Sequence, residues 1–119
     1  MEVYEKLGIT YTRMGRAEQA HAMFAHLLSV APNSATTLNN LGSLYLSQRR
    51  WDEAIRTLTR ALAIDPTLAN AHNGLGVAHA QQGDLDRAIA EWRAALALRP
   101  DLTDARDNIA RAEQLKRQK

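Results

Sequence analysis

Residues His72 to His79 read "HNGLGVAH", and two other stretches of the chain fall on it at one fixed offset. Leu38 to Tyr45 reads "LNNLGSLY" and Tyr4 to Tyr11 reads "YEKLGITY", each displaced from the next by 34 residues. With the whole chain aligned this way the columns become Leu7, Leu41, Leu75; Gly8, Gly42, Gly76; Ala20, Ala54, Ala88; Phe24, Leu58, Trp92; Leu28, Leu62, Leu96; and Pro32, Pro66, Pro100. A period of this size marks a stacked-repeat architecture, in which no unit buries its apolar face alone.

Within each unit two stretches carry apolar residues at spacings of three and four, the period of an amphipathic helix. The first helix is expected to close at Gly15, at Gln48 to Arg50 and at Gly83; the second ends before the proline, which cannot continue a helix. Asn33, Thr67 and Asp101 follow the prolines and are expected to cap the next helix through a side-chain oxygen. A glycine that recurs inside a helix marks a place where a neighbouring element comes too close for a larger side chain.

These columns resemble the tetratricopeptide repeat, whose consensus places W, L, G, Y, A, F, A and P in this order. The resemblance covers residues 1–102, as repeats 1–34, 35–68 and 69–102. Residues 103–119 keep the phase at first, with Ile109 in the leucine column and Ala110 in the glycine column, then depart from it. Arg106 stands where Tyr4 does and Glu113 where Tyr11 and Tyr45 do, as expected of a terminal solvating helix. Leu27 fills a column that is otherwise Ala61 and Ala95. The implied fold is all-α: a right-handed superhelix, or α-solenoid, of three helix-turn-helix repeats and a capping helix within a single domain.

Read this way, "HNGLGVAH" carries no catalytic or ligand chemistry of its own. A phosphate-binding glycine motif follows a strand and opens a helix, whereas Gly74 and Gly76 fall mid-helix with their backbone donors already used. His72 and His79 lie about 10.5 Å apart along a helix, too far for one metal with bonds of about 2 Å. His21 and His26 also miss the four-residue spacing of a helical metal pair. The chain has no Cys, so thiolate chemistry and cysteine zinc sites are excluded. No cofactor or metal site and no catalytic grouping is expected, because no Ser, His and Asp set or carboxylate pair converges at one mouth of the repeat.

Charge gives little support to a nucleic-acid partner. The isoelectric point of 9.3 reflects an excess of only two charges, 15 Lys and Arg against 13 Asp and Glu. Arg49, Arg50, Arg56 and Arg60 form a local basic patch with Asp52 and Glu53 among them, which reads as a solvated outer face. Trp92 shares a core column and Trp51 opens a second helix, so neither belongs to a base-stacking platform. No apolar run approaches the roughly 20 residues that span a bilayer, and the first residues lack a leader pattern. No membrane partner is expected, and the chain as given reads as soluble and cytoplasmic.

The resemblance implies a non-catalytic protein-interaction module whose first helices line a concave groove that binds a peptide segment of a protein partner. By helical phase the groove takes Glu5, Ile9 and Arg13 from unit one and Asn39, Asn40, Ser43 and Leu46 from unit two. Unit three adds Asn70, Asn73, Val77 and Gln81, and the terminal helix adds Asn108 and Arg111. Members that grip acidic chaperone tails use a clamp of Lys, Asn and Arg. Here Asn40 matches the middle Asn, but Glu5, Ile9, Asn70 and Gly74 stand at the other clamp positions, so no appreciable affinity for such tails is expected. A structural role is the alternative, with repeats stacking end to end or the chain serving as part of a longer repeat protein. Met1 falls in the column of Ala35 and Ala69 with no capping helix before it, and Val3 and Leu7 are expected to leave apolar surface open to self-association.

Overall fold

The computed structural model describes residues 2–118, and Met1 lies outside them. Among the described residues there are seven helices and no strand: α1 (Glu2–Arg13), α2 (Ala17–Val30), α3 (Ala35–Ser47), α4 (Trp51–Ile64), α5 (Ala69–Gln81), α6 (Leu85–Leu98) and α7 (Thr103–Arg117). Each helix packs on the next, and α3 also touches both α1 and α5. The result is an elongated solenoid with extents of 46 × 25 × 22 Å. Odd-numbered helices form one wall and even-numbered helices the other.

The same turn closes α1, α3 and α5. The backbone N–H groups of Arg16, Arg50 and Asp84 donate to the carbonyls of Tyr11, Tyr45 and His79 at 2.8, 2.9 and 2.9 Å, the six-to-one bond of a Schellman ending. That ending needs one left-handed residue, supplied by Gly15 (φ 74°), Arg49 (φ 59°) and Gly83 (φ 84°). Arg49 has a Cβ that collides with its own carbonyl in this region, at a cost of about 1–2 kcal/mol. Arg49→Gly is therefore expected to raise stability by about 0.5–1 kcal/mol once the added freedom of the unfolded chain is subtracted. A urea midpoint that rises at constant m would show it, and an unchanged or lower midpoint would refute it.

The expected caps fall one residue later. Ser34, not Asn33, caps α3, its hydroxyl accepting the Thr37 N–H at 3.2 Å. The N-cap positions of α5 and α7 are Leu68 and Leu102, which have no side-chain acceptor. The residue after each proline is still inside the turn, so its side chain cannot reach the first free N–H groups of the helix. Thr67 instead donates from its N–H and hydroxyl to the Asp65 carboxylate at 3.0 and 2.6 Å, which holds the Asp65 pKa below its ordinary value. Asp101 faces Arg99 across 3.7 Å.

The recurring glycines take the large side chain of their own unit's second helix. A Cβ built at Gly8, Gly42 or Gly76 would overlap Phe24, Leu58 or Trp92 respectively. Three small cores are strung along the solenoid around those side chains. The first holds Ala20, Phe24, Leu27 and Leu44; the second Leu58, Ala71 and Leu75; the third Ala88, Ile89, Trp92, Ala105 and Ala112.

Candidate functional site

Because the odd-numbered helices face one another, their side chains turned away from the even-numbered wall line a concave surface. Its main cleft, of about 450 Å³, brings together Ile9 and Arg13 of α1, Asn39, Asn40, Ser43 and Leu46 of α3, and Asn70, Asn73 and Val77 of α5. A second cleft of about 210 Å³ lies between α5 and α7, with Val77, Gln81, Asn108 and Arg111 on its walls. Val77 is common to both. Glu5 sits at the opposite edge with Ile9 and Asn40, around a shallower depression. The residues read from helical phase therefore line three adjoining depressions.

The groove floor is rich in acceptors. The amide oxygens of Asn39 and Asn73 are buried and have no hydrogen-bond partner among the described residues. These two asparagines occupy one column on neighbouring helices. The hydroxyls beside them already spend their protons on helix carbonyls, Thr12 on Gly8 at 2.8 Å and Ser43 on Asn39 at 3.2 Å, so their lone pairs face outward as acceptors. A buried amide oxygen without a donor carries a desolvation penalty of about 1–3 kcal/mol. An amide that turned to bring this oxygen to the groove surface would meet a ligand N–H there and lose that penalty. Arg13 and Arg111 are exposed donors with no ion pair among the described residues.

Several cleft residues had no positive signal in the sequence. Phe24 and Trp92 are core side chains that also floor the two clefts, while Gly74 joins the first, and Ala80, Leu85, Ala112 and Leu115 line the second. Leu115 alone could have been flagged: its column otherwise reads Arg13, Ser47 and Gln81.

His21, His26 and His72 serve packing and hydrogen bonding. His72 Nδ1 lies 2.8 Å from a Glu91 carboxylate oxygen, tying α5 to α6, and His21 Nε2 lies 3.1 Å from the Gln48 side-chain oxygen. His26 packs against Tyr4 with the rings tilted by 44° and their centres 4.5 Å apart. No three His, Asp or Glu side chains converge among the described residues, and no described helix is long and apolar enough to cross a membrane. In the basic patch Arg50 pairs with Glu53 at 2.6 Å, which lowers the Glu53 pKa, and the Arg50 guanidinium lies 4.9 Å from the centre of the Tyr45 ring.

Two family profiles match, both described as tetratricopeptide repeat, one over residues 1–67 and the other over residues 45–116. The chain belongs to the tetratricopeptide repeat family. Comparison with curated proteins finds no relative. Among solved tetratricopeptide folds, the repeat domain of Arabidopsis OM64 superposes with a TM-score of 0.89 at 22% identity, over 95% of this chain and 93% of that one. The first tetratricopeptide domain of Spaghetti (RPAP3), bound to the HSP90 peptide SRMEEVD, gives 0.90 at 19% identity over 95% and 92%. The crystal structure of MamA gives 0.87 at 28% identity, over 97% of this chain and 67% of MamA. All three support the all-α solenoid architecture, and at these identities the first two speak to the fold alone.

Proposed function

We infer that this chain is a non-catalytic recognition module that holds a peptide segment of a protein partner in its concave groove. The observation that carries the reading is the pair of buried, unpartnered amide oxygens of Asn39 and Asn73 on the groove wall. An asparagine side chain offers one acceptor and two donor hydrogens, so it can pair with both the N–H and the C=O of a peptide backbone without regard to ligand sequence. Asn40 and Asn108 share the adjoining column, which Gly74 interrupts. Selectivity then rests on the apolar points Ile9, Leu46 and Val77 and on the charges of Glu5, Arg13 and Arg111.

The RPAP3 domain's HSP90 peptide is acidic, and this groove does not suit such a ligand. Glu5 and Ile9 occupy positions where a clamp needs a cation and an amide, and Glu5 repels a carboxylate. The test is affinity capture of partners with the intact domain and with groove variants. Asn40→Ala is expected to weaken a captured partner by about 1–3 kcal/mol with little change in melting temperature. An Asn40/Asn73 double alanine variant that folds and binds undiminished would sink the groove reading; micromolar binding of an acidic C-terminal pentapeptide would overturn its selectivity.

A second reading, end-to-end stacking, is favoured by one observation. Thr37, Ala71 and Ala105 are at most 3% exposed, whereas Val3 in the same column is 67% exposed on α1. Under this reading sedimentation shows mass rising with protein concentration, and a monomer at all concentrations would exclude self-stacking.

A further inference from the structure

The Leu46 column changes from repeat to repeat, reading Thr12, Leu46, Ala80 and, on α7, Gln114. Leu46 of α3 reaches across to α5, where its Cδ1 stands 3.0 Å from the place a Cβ on Gly74 would occupy. One repeat later the residue in its column is Ala80, and the residue facing it on α7 is Asn108. The side chain with which α3 meets Gly74 of α5 is thus missing between α5 and α7, where the cleft of about 210 Å³ lies. Its floor is Leu85, Trp92 and Ala112, with Trp92 and Ala112 each 4% exposed.

The rim supplies an independent observation. Leu115 is 46% exposed on a helix whose remaining outward residues are mostly charged or amide-bearing, in a column that is polar in all three repeats. Arg111 is the one charged side chain on the cleft wall. The nearby charges of Lys116, Glu113 and Asp86 are engaged, Lys116 with Asp86 and Glu113 with Arg93. An occupant therefore meets a largely apolar floor, the amides of Gln81 and Asn108, one unpaired guanidinium and no carboxylate.

We propose that the α5–α7 cleft is an anchor pocket for a single large aliphatic side chain of the bound segment, with Arg111 donating to an acceptor beside it. This rests on the groove reading and adds the ligand's anchor to it. The occupant's size is set by the cleft of about 210 Å³, and its apolar character by the Leu85, Trp92 and Ala112 floor. Arg111 selects an aspartate, a glutamate or a bare backbone carbonyl next to the anchor and rejects Lys and Arg there. Val77, shared by both clefts, makes the anchor continuous with the asparagine-lined surface, so one segment can engage both.

The test is a displayed library of random peptides selected on the intact chain, followed by anisotropy titration of the enriched peptides as synthetic ligands. Enriched peptides should share one Leu, Ile or Met position, with Lys and Arg depleted beside it. Alanine at that position should weaken binding about tenfold or more, as for removal of a central desolvated anchor. Ala80→Leu refills the cleft and should weaken the same peptides similarly. Leu115→Gln touches only an exposed side chain, leaves folding intact, and should weaken them several-fold. In a Trp51→Phe background, Trp92 emission should change on peptide addition.

Enriched peptides with no shared apolar position, or wild-type affinity in both Ala80→Leu and Leu115→Gln, would overturn the anchor and leave the groove reading standing. If no peptide enriches, or enriched peptides bind the Asn40/Asn73 double alanine variant undiminished, the groove reading falls and the anchor falls with it.

Discussion

Cutting Trp92 back to alanine is expected to lower stability by about 3–5 kcal/mol, the range for emptying a buried aromatic site. Trp92 is 4% exposed and forms the centre of the third core, with Ala88, Ile89, Ala105 and Ala112 around it. The indole N–H is buried and finds no acceptor among the described residues, so part of the packing gain is offset. Trp92→Phe removes that orphan donor and keeps a ring, as Phe24 does in the same column; it should cost less than about 1.5 kcal/mol, as a substitution that largely conserves shape does. Gly76 provides a sharper check. Glycine to alanine inside a helix normally gains about 1 kcal/mol, but a Cβ on Gly76 overlaps the Trp92 ring. Gly76→Ala should therefore destabilise the parent chain and stabilise the Trp92→Ala variant. Urea melts of the four chains decide it: additive effects would show that the ring and the glycine are not coupled.

What the sequence made legible is what repetition records. Gly8, Gly42 and Gly76 and their partners Phe24, Leu58 and Trp92 stand in register, so close helix approach could be read three times from one chain. The turns are equally plain at Gly15, at Gln48 to Arg50 and at Gly83, but the left-handed conformation of Arg49 comes from the structure, since its residue type argues against it. Caps were misread because Asn33, Thr67 and Asp101 have suitable side chains one position too early; residue type marks a cap, but only backbone geometry says which N–H groups are free. Helical phase places Val77, Gln81, Asn108 and Arg111 on the wall of the α5–α7 cleft but gives no sign of the apolar floor between them. Ala80 stands in a column that otherwise reads Thr12, Leu46 and Gln114, so no recurring residue type marks the space beside it.

Leu58→Ala is expected to cost about 2–5 kcal/mol and to loosen the groove without removing any group that lines it. Leu58 is 1% exposed on α4 and lies against both Gly42 of α3 and Gly74 of α5. Its core also holds Ala71 and Leu75 of the third unit. In a stacked-repeat chain each unit is held mainly by its neighbours, so a side chain that touches two units supports the coupling between them as well as its own packing. Its loss should broaden or split the unfolding transition and lower the apparent m, because units one and two no longer unfold together with unit three. Val30→Ala, at a side chain 61% exposed, is the control and should stay within about 0.5 kcal/mol. The main cleft draws its walls from α1, α3 and α5, and Leu58 spaces α3 from α5. Asn39 and Asn73 are held apart by that spacing, so a ligand bonded to both should bind the Leu58→Ala chain more weakly even at temperatures where it remains folded. Hydrogen exchange that accelerates in α5 while α1 and α2 keep their protection would place the weakness at the junction of units two and three; uniform acceleration along the chain would show instead that the solenoid unfolds as one cooperative body.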